Sequence, residues 1–87
     1  MATYLITYDL SDGSREDALL AYIRGWPWVR VSASSYAVAS DRTTTQMTAD
    51  IRAVANDAIT FAVLTIARPW DGFLPPDVIR WLNAGLS

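Results

Sequence analysis

Residues 3–9 (TYLITYD) alternate along the chain, with Tyr4, Ile6 and Tyr8 on one side and Thr3, Leu5, Thr7 and Asp9 on the other. A period of two in a stretch rich in β-forming residues predicts a first strand. Asp12-Gly13 then marks a turn, and Ser14 is a candidate helix cap. Residues 15–24 follow with an apolar stripe of Leu19, Leu20 and Ile23, a helix stopped by Gly25 and Pro27. Residues 28–31 and 34–39 read as a hairpin joined through Ser32-Ala33. Thr43, Thr44 or Thr45 caps a second helix running to about Asn56, where Met47, Ile51 and Val54 stand at i, i+4 and i+7. Residues 58–66 form the last strand and 69–76 a rigid, proline-bounded loop. A short helix over 77–83 closes the pattern, with Pro76 in its first turn and Val78, Trp81 and Leu82 on one face.

The order β-α-β-β-α-β plus a terminal helix predicts an α+β fold of the ferredoxin-like kind, with a four-stranded antiparallel sheet. Its 87 residues make one domain, 1–87, whose stability at this size is about 4 to 13 kcal/mol. In that arrangement two helices cover one face of the sheet and leave the other open. The last strand is apolar on both faces, with Ile59, Phe61 and Val63 on one and Ala62, Leu64 and Ile66 on the other. Strands of that pattern are usually buried on both sides. The open face is therefore expected to be covered by a second protomer, by the terminal helix, or by both, and a homodimer is predicted.

An apolar fraction of 52% with 18% charged residues describes a folded chain. The longest apolar-rich run is too short to cross a bilayer, and the first residues lack the charged-then-apolar pattern of a signal peptide. The expectation is a cytoplasmic protein without a membrane partner. The chain contains neither Cys nor His. That removes disulfides, Cys nucleophiles and His-based triads, and leaves only oxygen ligands for any metal, with Mg²⁺ the natural candidate. All seven basic residues are Arg, and the net charge of -2 argues against gripping nucleic acid by bulk electrostatics. A local Arg patch remains open. With four Gly there is no phosphate-cradling loop, and no Ser has a base beside it.

Two sets of residues carry candidate chemistry. Asp9 either ligates Mg²⁺ for phosphodiester hydrolysis, with a dyad mate supplying a second carboxylate, or accepts hydrogen bonds in the turn that follows it. Arg24, Arg30 and Arg42 either line a phosphate-binding surface with Tyr36 and Tyr8 as stacking platforms, or are solvated cations beside core tyrosines. Trp26, Trp28, Trp70 and Phe73 read as packing anchors, with small-ligand cages the alternative.

The segments YLITYDL (4–10) and SSYAVAS (34–40) resemble the small CRISPR-associated adaptation protein that is second in its naming series. They are more similar still to small bacterial and phage proteins labelled SinR-like, whose aromatic-Gly-aromatic-Leu-Pro segment and Trp-Leu helix match WDGFLPPDVIRWL at 70–82. The resemblance implies a ferredoxin-like homodimer. It places Asp9 where some members of the adaptation family hold a catalytic metal and others serve only as a structural bridge. The family's basic-x-Gln-x-Ser-apolar-Phe stretch falls on Arg30, Ser32, Ser34 and Tyr36, with Ser32 in the Gln position. Three classes follow: a metal-dependent nuclease or a nucleic-acid-associated protein derived from one; a non-catalytic dimeric module of a phage or mobile element acting on a host or defence factor; and a small-ligand binder.

Overall fold

The computed structural model describes residues 1–9, 15–56 and 59–86. The Asp12-Gly13 turn, Ser14 and the expected start of the last strand at residue 58 lie outside them. The elements are β1 (Ala2–Asp9), α1 (Glu16–Ile23), β2 (Trp28–Ser32), β3 (Ser35–Ser40), α2 (Thr44–Ala55), β4 (Thr60–Ile66) and α3 (Pro76–Gly85). The strands form one sheet in the order β2-β3-β1-β4, with each neighbouring pair antiparallel.

Alternation in β1 sorts its side chains as the sequence predicts. Tyr4, Ile6 and Tyr8 join Leu19 and Ile23 of α1, Tyr36 and Val38 of β3, and Met47, Ile51 and Ala55 of α2 in the larger core. The α2 stripe is Met47, Ile51 and Ala55, and Val54 is only half-buried. A step of four keeps these three aligned along the helix, and Val54 falls to the side.

The helix ends follow local chemistry. At the start of α2, Thr43 Oγ1 accepts from the Gln46 amide at 3.1 Å and Gln46 Oε1 accepts from the Thr43 amide at 3.0 Å, a reciprocal capping box. Asn56 ends the helix in the left-handed region, φ 54°. Helix α1 has Arg15 at its cap position, with no side-chain cap bond. The hairpin turn falls at Ala33-Ser34, one residue later than expected, because a bulge between Arg30 and Ser32 takes up one residue of β2.

The outer face of the sheet is covered by α3. Val78 and Leu82 bury Ala37 of β3, flanked by Val29, Val31, Ile66, Trp70, Leu74 and Trp81. Two contacts fix the far end of α3. A Cβ on Gly85 would stand 3.2 Å from Thr3 Oγ1, so the last turn lies tight on β1. Arg68, beyond β4, donates from Nε to the Leu86 carbonyl at 2.6 Å and from Nη2 to Asn83 Oδ1 at 3.3 Å. The cover is partial, for Ala62 is exposed and Leu64 is 48% exposed on the same face. Among the described residues no helix is long and apolar enough to cross a membrane.

Candidate functional site

Asp9 is the last residue of β1 and stands opposite Thr60 of β4. Its position in the alternation puts it on the outer face with Leu5, and it is exposed. Thr7, Tyr8, Asp9, Thr60, Phe61 and Ala62 line a shallow hollow of about 270 Å³ at this strand end. Among the described residues no group of three or more acidic side chains gathers around one point. One carboxylate from one copy is a poor cage for Mg²⁺ unless water and a partner supply the rest. Asp9 by itself can offer a single oxygen ligand or a surface charge.

The other candidates lie mainly on the inner, helix-facing side of β2 and β3. Tyr36 is 4% exposed, and its ring lies 6.4 Å from Tyr8 at an interplanar angle of 13° and 5.6 Å from Trp28 at 55°. The Arg24 guanidinium sits 5.5 Å from the centre of the Trp28 ring. A row of aromatic rings thus crosses β1, β3 and β2, with a cation at its outer end. Tyr8 and Tyr36 are both buried within that row, as core tyrosines are. Trp28, 39% exposed, is the ring of the row that reaches solvent. The register that makes this grouping, Arg30 opposite Tyr36 and Trp28 opposite Val38 on the same side, depends on the bulge between Arg30 and Ser32 and was not readable from the hairpin spacing.

Arg30 is exposed but engaged. Its Nε donates to the Ser32 carbonyl at 3.1 Å and its Nη2 to the Ala33 carbonyl at 3.3 Å, clamping the hairpin turn. Ser34, in that turn, is half-buried, and its carbonyl accepts the Tyr8 amide at 3.0 Å. Ser32 and Ser35 join their hydroxyls at 2.6 Å beside it. The Tyr8 hydroxyl is buried and finds no hydrogen-bond partner among the described residues. Burial first, and then the neighbouring Tyr36 and Glu16, push its pKa up against the smaller opposing pull of Arg30 and Arg24. The phenol stays protonated at neutral pH.

Arg42 is placed apart from Arg24 and Arg30 by its partner. Its Nη2 donates to Asp50 Oδ1 at 2.9 Å, and its Nε lies 2.6 Å from Asp50 Oδ2. That shorter contact is close enough for an ion pair yet misaligned as a hydrogen bond, so the directional bond is the one from Nη2. Tyr22 of α1 donates to Asp50 Oδ2 at 2.7 Å, and Tyr4 donates to the Arg42 carbonyl at 2.6 Å. Arg42 therefore ties its loop directly to α2, and to α1 through the shared Asp50 carboxylate. Asp50 is at the centre of the group. Local spacing could not have found it, because its two partners, Tyr22 and Arg42, come from separate stretches of chain.

Comparison with protein-family models, with curated proteins and with solved structures found no match.

Proposed function

We propose that this chain is a homodimeric interaction module of ferredoxin-like topology that recognises a protein partner and carries out no catalysis. The observation that carries this reading is the half-covered outer face of the sheet. Helix α3 lies over β3 and reaches β2 and β1, while Ala62 and Leu64 of β4 stay in water next to it. Contiguous apolar surface beside a packed cluster is characteristic of an interface. The strand order β2-β3-β1-β4, with every neighbour antiparallel, supports the split βαβ description. Phe73, fully exposed in the loop between β4 and α3, supports a protein partner, because aromatic side chains are the usual anchors of such contacts.

A second reading is favoured by one specific observation. Asp9 is exposed on that same uncovered face, where a copy stacked face to face would bring two carboxylates together around Mg²⁺. That arrangement would make the protein a metal-dependent nuclease of the CRISPR-adaptation kind. Arg24 and Arg30, both exposed, would then be the candidate cations for a phosphate backbone.

Sedimentation equilibrium at low micromolar concentration, run beside cleavage of mixed DNA and RNA with Mg²⁺, Mn²⁺ or a chelator, tests both readings. A dimer without cleavage is the expected result. A stable monomer of 9.6 kDa removes the homodimer. Cleavage abolished by the chelator and by Asp9→Asn replaces the module with the nuclease.

A further inference from the structure

The two edges of the sheet differ in a way that bears on how a second copy attaches. At one edge β2 is five residues long, is broken by the bulge between Arg30 and Ser32, and carries a charged side chain. Short length, bulges and charge are the devices by which proteins protect an edge from pairing with another chain. The other edge has none of them. Strand β4 (TFAVLTI) contains no charged residue, no Pro and no Gly, and its register with β1 is unbroken from Thr60 opposite Asp9 to Ile66 opposite Thr3. Strand β1 lies on one side of it and α2 packs across its inner face, so among the described residues no element pairs with its outer side.

We propose that the free edge of β4 pairs antiparallel with β4 of a second copy, centred on Val63, to make one continuous eight-stranded sheet. The proposal rests on the homodimer reading above and specifies its interface. The strand is compatible with its own copy, because an uncharged sequence brings no like charges opposite one another. Centring on Val63 sets Ala62 opposite Leu64, Phe61 opposite Thr65, and Thr60 opposite Ile66 of the partner. Each pair keeps the inner and outer faces in step, since residues opposite one another in an antiparallel pair share a face. Leu64, half in water in the single chain, gains a small neighbour in Ala62 of the other copy. A two-fold pairing uses up both open edges, so the assembly closes at two copies, and the protected β2 edges do not extend it.

The same geometry decides between the functional readings. The two Thr60 residues, and with them the two Asp9 residues beside them, are separated by six residues along the strand direction, about 20 Å at the rise of a β-strand. Two carboxylates that far apart cannot share one ion. Edge pairing therefore belongs with the non-catalytic module.

The test uses Ala62→Lys and Leu64→Glu, both at exposed outer-face positions, with oligomeric state read by sedimentation equilibrium and folding by circular dichroism. Each variant alone brings two like charges near the two-fold axis and is expected to sediment as a folded monomer. An equimolar mixture sets the introduced lysine opposite the introduced glutamate and is expected to return to a dimer. Variants that both remain dimeric overturn edge pairing and leave the homodimer standing, whereas a monomeric wild type overturns both. A second measurement does not rely on charge. Ala62→Cys and Leu64→Cys proteins, mixed and oxidised, are expected to cross-link, because directly opposed strand residues lie within disulfide reach and the chain has no other Cys. Absence of that cross-link in folded protein also overturns the proposal.

Discussion

Tyr22 of α1 donates a 2.7 Å hydrogen bond to Oδ2 of Asp50 in α2, joining the two helices on the inner face at a point where both side chains are half-buried. Arg42 holds the other oxygen of the same carboxylate. Burial alone would raise the pKa of Asp50. The hydrogen bonds from Tyr22 and Arg42, with the charge of Arg42, outweigh it and hold the carboxyl below its ordinary value. Tyr22→Phe removes the donor and keeps the ring, and should cost about 1 kcal/mol of stability. Urea denaturation of the two proteins side by side measures it, and an unchanged midpoint would show that water replaces the bond fully.

The alkaline side carries a readable signature of the same bond. Burial first, and then the bond to Asp50, push the Tyr22 pKa from about 10 up to about 12. A raised folded-state value means that the unfolded chain loses its proton first. The contribution is therefore whole below pH 10 and is lost as pH rises from 10 through 12. With no Lys in the chain, tyrosines dominate titration in this window. Melting temperature should fall between pH 10 and 12, and Tyr22→Phe should flatten part of that fall. Tyr8, also shifted upward, supplies a share of the remainder.

The acid side has the opposite sign. Because the folded-state pKa of Asp50 is depressed, its contribution is present above the ordinary carboxylate value, near pH 4, and is lost as pH falls through the lower folded value. Asp50→Asn should remove this component. Melting curves from pH 6 down to pH 2 should show a shallower acid decline in the variant than in the wild type.

Helix α3 stabilises the domain by covering Ala37 of β3, and the cover depends on Leu82 more than on Trp81. Leu82 is 4% exposed, whereas Trp81 is half-buried. Leu82→Ala should cost about 2 to 5 kcal/mol through lost burial and the cavity it leaves. Trp81→Ala should cost less than full burial of its ring would imply. Thermal melts of both variants rank them, and a smaller loss for Leu82→Ala would mean that α3 reseats itself on the sheet.

Asp9→Asn separates the module from the nuclease at the level of the single chain. An exposed strand-end carboxylate with no acidic cluster around it among the described residues should change stability by no more than about 0.5 kcal/mol on losing its charge. Nuclease assays with and without Mn²⁺ are expected to give the same blank result for wild type and variant. Metal-dependent cleavage by the wild type that disappears in the variant would reverse the functional conclusion.

Periodicity along the chain determined most of the elements. Alternation in β1 put Tyr4, Ile6 and Tyr8 inward, the spacing of Met47 and Ile51 identified the buried stripe of α2, and Pro76 marked the first turn of α3. These are nearest-neighbour properties, set by backbone geometry and the need to hide one face, so they are legible without a partner in view. The candidate site was not legible in that way. Whether a tyrosine presents its ring or buries it depends on what the neighbouring strands place beside it. Tyr36 is closed off by Tyr8 and Trp28 because β3 lies between β1 and β2. Arg42 looked free in the sequence, and only the docking of α2 brought Asp50 to it. The openness of β4 was decided at the same level, by the sheet order that left this uncharged strand at an edge, since burial and pairing across the sheet are properties of contacts between distant residues.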